Sequence, residues 1–156
     1  MTGVLSKRTA AIFLTVILLL TIMPVRAEAT QVVSSEIEYL PEGGYIETVI
    51  TESAQRASGT KTGSKVKRHV DGDGIEQWTI LLQGTFSYNG TTATCTNAVC
   101  NVTVSVGNWY VVSKSASKHD AVAVANVTMG QKMLGITISK PKYSLTLTCD
   151  KNGNLS

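Results

Sequence analysis

Between Ile75 and Tyr88 apolar and polar positions alternate with little drift. Trp78, Ile80, Leu82, Gly84, Phe86 and Tyr88 fall on one face; Gln77, Thr79, Gln83, Thr85 and Ser87 fall on the other, with Leu81 the exception. A period of two sustained over this length predicts a half-buried strand rather than a helix. Asn89-Gly90 follows, and because both residues tolerate positive φ the pair predicts a two-residue hairpin loop. That loop would set Tyr88 opposite Thr91, Phe86 opposite Ala93 and Gly84 opposite Cys95. Directly opposed residues share a sheet face, so Cys95 is expected to point into the core.

Weaker alternation recurs along the rest of the chain. Strands are expected over residues 44–51, 65–70, 100–106, 109–116, 121–128, 132–139 and 143–149, with Pro141 in a turn between the last two. The short "KVKRHV" run (65–70) is basic and reads as an edge strand, where lysine discourages pairing with other chains. "ESAQRASGTKTGS" (52–64) is small and polar and reads as a linker. Eight or so short strands joined by tight turns predict an all-β fold, a single antiparallel β-sandwich with a β-barrel as the alternative. The expected division is a signal peptide over 1–27, a polar arm with one strand and a linker over 28–64, and the sandwich over 65–156.

The N-terminus changes the charge picture. Lys7 and Arg8 precede an uncharged apolar run (9–23), Pro24 ends it, and "VRA" places small residues where a signal peptidase reads, so cleavage is expected after Ala27, with Ala29 the second choice. The run is short of the ~20 residues that span a bilayer. Removing residues 1–27 takes Lys7, Arg8 and Arg26 from the 14 basic residues and none of the 11 acids, leaving a net charge of zero. The whole-chain excess of +3 therefore gives no reason to expect nucleic acid, and no aromatic residues interleave the basic stretch from Arg56 to Arg68. The remaining charge is uneven: Glu28, Glu36, Glu38, Glu42, Glu47 and Glu52 precede that basic stretch, which could pair with them or meet polyanions such as cell-wall polymers.

Three cysteines in an exported chain point to one disulfide and one leftover thiol. Cys95–Cys149 would close a long loop, an effect the chain-entropy relation puts at roughly 4 kcal/mol. Cys95–Cys100 is the rival, since a four-residue loop would set these two opposite each other. The alternation allows both pairings. A C-x4-C spacing without a ligand-spaced histidine does not make a zinc site, and nothing nearby would activate a thiol.

"YLPEGGYIETVI", "GTFSYNGTTATCT", "WYVVSKSASK" and the terminal "LTCDKNGNLS", in that order, resemble a family of small secreted proteins of Gram-positive bacteria classed as a domain of unknown function. The resemblance runs from Tyr39 to Ser156. It implies an exported β-rich domain without an assigned activity, substrate or cofactor. It also implies the Cys95–Cys149 pairing, with Cys100 a departure from the family's pattern.

Asp71 and Asp73 in "DGDG" resemble the head of a calcium loop, but an EF-type loop counted from Asp71 finds Ile75 at its fifth position and Leu82 at its twelfth. A turn between the basic strand and the Trp78 strand is the expected structure. His119-Asp120 invites a triad with Ser115 or Ser117, yet adjacent strand residues point to opposite faces and no nucleophile-elbow motif is present, so a solvated turn is expected. His69 is expected to be exposed. Trp109 and Tyr110 are ligand-contact candidates, with core packing favoured for Trp109 because strand geometry divides the pair. The N-x-[S/T] sequons at Asn89, Asn101, Asn126 and Asn154 arise readily in a Thr-rich chain.

These readings converge on a secreted, non-catalytic β-domain without cofactor or metal, binding a cell-wall polymer or glycan, and not inserted in a membrane once its signal is removed. A secreted hydrolase is the first alternative and would need His69 or His119 beside a nucleophile in a pocket. A secreted toxin or antimicrobial protein is the second and would need a broad exposed apolar face.

Overall fold

The computed structural model describes residues 30–53 and 59–156. The signal segment with its cleavage point at Ala27, and Arg56 of the basic stretch, lie outside the described residues. Nine strands are described: β1 (Thr30–Tyr39), β2 (Tyr45–Ser53), β3 (Thr60–Val70), β4 (Glu76–Tyr88), β5 (Ala93–Val104), β6 (Trp109–His119), β7 (Val122–Met133), β8 (Ile136–Ser139) and β9 (Lys142–Thr148). They form two antiparallel sheets, a five-stranded one in the order β1-β2-β3-β4-β5 and a four-stranded one in which β6 flanks β7 on one side while β9 and β8 share its other side. The fold is the expected β-sandwich, not a closed barrel.

The alternation in β4 supplies half of the core. Trp78, Ile80, Leu82 and Phe86 are fully buried, and facing them are Ala123, Ala125, Val127 and Met129 of β7 with Leu145 and Leu147 of β9. Burying each large aliphatic or aromatic side chain is worth about 1.5–3 kcal/mol, so this layer is the main cohesive element. Gly84 keeps the sheets close: a Cβ there would meet the Phe86 ring at 2.7 Å and Ala123 at 3.2 Å.

The segment over 28–64 is not an arm. Its described part contributes β1, β2 and the start of β3, all hydrogen-bonded into the larger sheet, so that both ends of the expected linker lie in strands. The basic strand is consequently central rather than at an edge, with β2 on one side and β4 on the other. Its cations meet internal partners. Arg68 pairs with Glu47 directly across the β2–β3 ladder, Lys61 reaches Glu52 at 2.8 Å, and Lys65 donates to the carbonyl of Thr146 at 3.0 Å. Two of the four described cations of the basic stretch, Lys61 and Arg68, thus pair with the acidic residues before it. The true edge is β1, exposed along its whole length and touching β2 alone.

The hairpin register differs from the two-residue expectation. Tyr88 faces Ala93 and Phe86 faces Cys95, so the loop is Asn89–Thr92. The Asn89 side-chain oxygen accepts the amides of Thr91 (3.0 Å) and Thr92 (2.8 Å), which stabilises a wider turn than Asn-Gly alone requires. A bulge opposite Thr85/Phe86 then inserts one residue into β5, and the parity of its faces changes. The bulge explains why Cys95 and Cys100, five positions apart, are both buried. It also removes the rival pairing: the two lie on one continuous strand, not on opposed strands, and five residues of strand span ~16 Å, against the Cα separation below about 7 Å that a disulfide tolerates. Similarly, the strand expected over 132–139 folds back at Leu134-Gly135, so that Met133 pairs with Ile136.

Three tight reversals share one hydrogen-bonding scheme. In Leu40–Gly44, Asp71–Ile75 and Asp150–Asn154 the first amide donates to the last carbonyl and the fourth amide donates to the first carbonyl, at 2.9 to 3.1 Å. The fourth residue is glycine each time and sits at positive φ (92°, 80° and 86° at Gly43, Gly74 and Gly153), a region closed to most side chains. "DGDG" is therefore a turn, as expected. The Asp71 carboxylate accepts the amides of Asp73 and Ile75 on one oxygen and Gln77 Nε2 on the other. Asp150 repeats the arrangement with Asn152 and Asn154, whose amides hold its carboxyl below the usual range.

Candidate functional site

The Asp71 and Leu40 turns stand at the same end of the sandwich, and between them and the start of β6 a cleft of about 420 Å³ opens. Its floor is aromatic. His69 and Trp78 are register partners on β3 and β4, with ring centroids 5.4 Å apart. Trp109, the first residue of β6, stands edge-on to His69 at 5.7 Å and to Trp78 at 6.1 Å. Tyr143 of β9 packs against Trp78 at 4.6 Å. His69, Trp109 and Tyr143 thus line the cleft from three strands of both sheets, and Trp78, fully buried, packs beneath them.

Polar groups line the rim. Asn108, Gln131 and Ser139 approach from the smaller sheet and Glu42 from the Leu40 turn. Gln77, only 6 % exposed, ties the Asp71 turn to the wall by donating to Asp71 Oδ2 at 2.7 Å and to the Ile75 carbonyl at 3.2 Å. The Asn108 carbonyl accepts the Lys132 amide at 2.7 Å, fixing the loop before Trp109 against β7.

The electrostatics keep the floor neutral. Burial holds the His69 imidazole below its ordinary pKa, and the nearby Glu42 and Asp71 only partly offset this. Tyr143 is pushed up to about 12, mainly by burial and further by the charges of Glu38 and Glu42. At neutral pH the site therefore presents an uncharged imidazole and a phenol. Two buried atoms here, His69 Nδ1 and Trp78 Nε1, have no hydrogen-bond partner, an arrangement rare in folded proteins.

Chemically the cleft combines aromatic faces, side-chain amides and a carboxylate, the set that recognises the apolar and hydroxyl faces of a sugar ring. His69 Nδ1 bonds to neither Ser139 nor a carboxylate. His119, Asp120, Ser115 and Ser117 are all exposed, with Ser115, Ser117 and His119 on β6 and Asp120 in the turn that follows. No group of three or more metal-ligating side chains occurs among the described residues.

A second, shallower depression of about 240 Å³ lies on the outer face of the smaller sheet, lined by Lys114, Lys142 and the hydroxyls of Ser113, Ser115 and Ser144. Tyr143 is among the residues that line both depressions.

The candidates named from the sequence divide. Trp109 is 8 % exposed and at once core and cleft wall. Tyr110 points the other way: its ring covers Gly130, its hydroxyl pairs with Thr137 Oγ1 at 2.9 Å, and Lys132 Nζ sits 4.9 Å from the ring centroid. His69 is not exposed as expected, but half-buried among the rings. The hairpin reading of "DGDG" contained the signal for it, since a residue paired with Trp78 must share the inward face of Trp78. Cys95, Cys100 and Cys149 are buried free thiols in this structure, each pushed up in pKa by burial, so none is an activated nucleophile. Cys95 and Cys149 are nevertheless neighbours across the β6–β7 turn: their amides donate to the consecutive carbonyls of Asp120 and Ala121 at 2.6 and 3.0 Å.

Fold and cleft define an antiparallel two-sheet β-sandwich with an aromatic cleft at one end. Comparisons with family models, with curated proteins and with solved structures each return no match.

Proposed function

We propose that this is an exported, non-catalytic envelope protein that binds an anionic glycopolymer of the cell wall. A sugar unit stacks in the cleft, and the acidic groups that follow it meet Lys114 and Lys142. The observation that carries this reading is that the two depressions share Tyr143 in their linings. An aromatic, amide-rimmed cleft and a hydroxyl-lined lysine pair thus have one residue in common, and stacking beside charge contacts suits a repeating sugar–anion chain.

Export is supported by the pattern of the first 27 residues and by the resemblance to small secreted proteins. A Cys95–Cys149 bridge belongs to the same reading, supported by the adjacency of the two backbones at the β6–β7 turn. The hydrolase alternative is less well supported, since His69 Nδ1 has no hydrogen-bond partner. The toxin alternative lacks a broad apolar face, since the exposed large apolar side chains concentrate on β1 and the β7–β8 hairpin.

Co-sedimentation with purified wall fractions tests the reading. Retention on wall carrying its anionic polymer, falling by about tenfold in Trp109→Ala as expected for an aromatic anchor and falling with added salt, is the expected result. Equal retention by wild type and Trp109→Ala would remove the cleft from the account.

A further inference from the structure

The hairpin joining β7 and β8 has no role in the fold's core and none in the cleft beyond its root at Gln131 and Ser139. Past that root its side chains leave the protein surface: Met133 is 62 %, Leu134 97 % and Ile136 70 % exposed. No charge interrupts the sequence from Met133 to Ser139, and lysines, Lys132 and Lys140, bracket it. Lys132 and Thr137 oppose each other beside Tyr110, while Met133 opposes Ile136 one position further out, so the hairpin is amphipathic with an aliphatic tip. Leu134 also occupies positive φ, 49°, which a Leu side chain adopts at a conformational cost. Glycine or asparagine would suit that backbone better, so the aliphatic side chain is present despite local conformational preference.

Charge is unevenly divided along the chain, with Lys132 and Lys140 flanking the hairpin. Residues 77–149 contain five lysines (Lys114, Lys118, Lys132, Lys140 and Lys142) and a single acid, Asp120. The smaller sheet and its loops thus form a cationic half, whereas the acids concentrate in the segment before Glu76. An aliphatic projection ringed by lysines is complementary to a bilayer with anionic headgroups: apolar residues enter the acyl boundary and cations meet the phosphate layer. A second protein is a poorer fit, because a few side chains at a two-residue turn fall far short of the ~20 or more residues per side of a stable interface.

We propose that the β7–β8 hairpin is a membrane-docking finger. Met133, Leu134 and Ile136 insert shallowly into an anionic bilayer, and Lys132 and Lys140 contact its headgroups. The protein is then held at the membrane face of the wall with its cleft beside the finger's root. This inference stands apart from the polymer reading, since it uses neither Trp109 nor Lys114.

The test is vesicle co-sedimentation of the chain from Glu28 onward, which retains every described residue and lacks the apolar run 9–23. Phosphatidylglycerol vesicles are expected to retain it at least tenfold better than phosphatidylcholine vesicles, with retention declining as salt rises. Leu134→Gly relieves the backbone and Ile136→Ser removes the neighbouring aliphatic group. The double variant is expected to lose at least tenfold in vesicle binding while keeping its Tm and its wall retention. Wild-type failure to bind phosphatidylglycerol vesicles at low salt would overturn the proposal. Undiminished binding by the double variant would overturn it by leaving the lysines alone responsible. A wild-type dimer that the double variant converts to monomer would assign the tip to self-association instead.

Discussion

His69 and Trp109 belong to different sheets, yet their rings meet edge-on with centroids 5.7 Å apart. That contact closes one end of the sandwich and forms the cleft floor in the same step. Packing and recognition are therefore in tension at His69, where an imidazole with an unpartnered buried nitrogen occupies a position that an apolar ring would fill.

His69→Phe should accordingly be more stable than wild type by roughly 1 kcal/mol at pH 7, since it removes an unsatisfied buried group, and should bind wall polymer less well. The pH dependence has a definite sign. Because the folded-state pKa of His69 is depressed below 6.5, the unfolded chain binds the proton first as pH falls. The contribution of the neutral imidazole is fully present above 6.5 and is lost as pH drops through the folded value. Urea unfolding at a series of pH values should show a steeper loss of stability below 6.5 in wild type than in His69→Phe; parallel curves would contradict the assignment.

The Asp71 carboxylate is occupied by turn donors, which makes calcium irrelevant to it. Asp71→Ala should cost about 1–2 kcal/mol, the range for losing capping-type hydrogen bonds. Millimolar calcium should leave the wild-type Tm unchanged. A calcium-dependent rise in Tm would mean that the aspartates ligate metal after all.

Gly63 lies opposite Gly84 in the β3–β4 ladder and leaves room for Leu155, whose Cδ1 would stand 2.1 Å from a Cβ at position 63. The C-terminal segment is thereby latched onto the sandwich, with Leu155 only 6 % exposed. Gly63→Ala should destabilise by about 1–3 kcal/mol through overpacking. In a double-mutant cycle with Leu155→Ala the two changes should be clearly less than additive. Strict additivity would show that they do not share the site.

The thiols give a prediction by mass. In protein secreted under oxidising conditions, Cys95 and Cys149 should resist alkylation without reductant, and Cys100 alone should react once the chain is denatured. Breaking such a bridge typically costs 2–5 kcal/mol, so Cys149→Ser should lower stability by that order, whereas Cys100→Ser should have a smaller effect. Alkylation of all three in denaturant without reductant would refute the pairing.

Much of the architecture was legible in β4, because its inward residues are fully buried and its outward ones are not. β1 was not, because a strand exposed on both faces carries no period-two signal, and its bulge at Val33 breaks what alternation there is. The register of β5 depended on the side chain of Asn89 and on a bulge, neither of which hydrophobic patterning records. Of the cleft, Trp109 was legible as an inward aromatic. Tyr143 was legible only as the first residue of the strand expected over 143–149, and Asn108 and Gln131 reach the rim through contacts between distant strands.

Trp109 lines the cleft and Trp78 packs against it from beneath, so intrinsic fluorescence reports on the site. Titration with solubilised anionic wall glycopolymer tests the central claim. The expected result is a saturable change in wild-type emission and, read through Trp78, at least a tenfold weaker response in Trp109→Ala. Wild-type emission unmoved by the polymer at any concentration, or equal affinities for the two proteins, would contradict it.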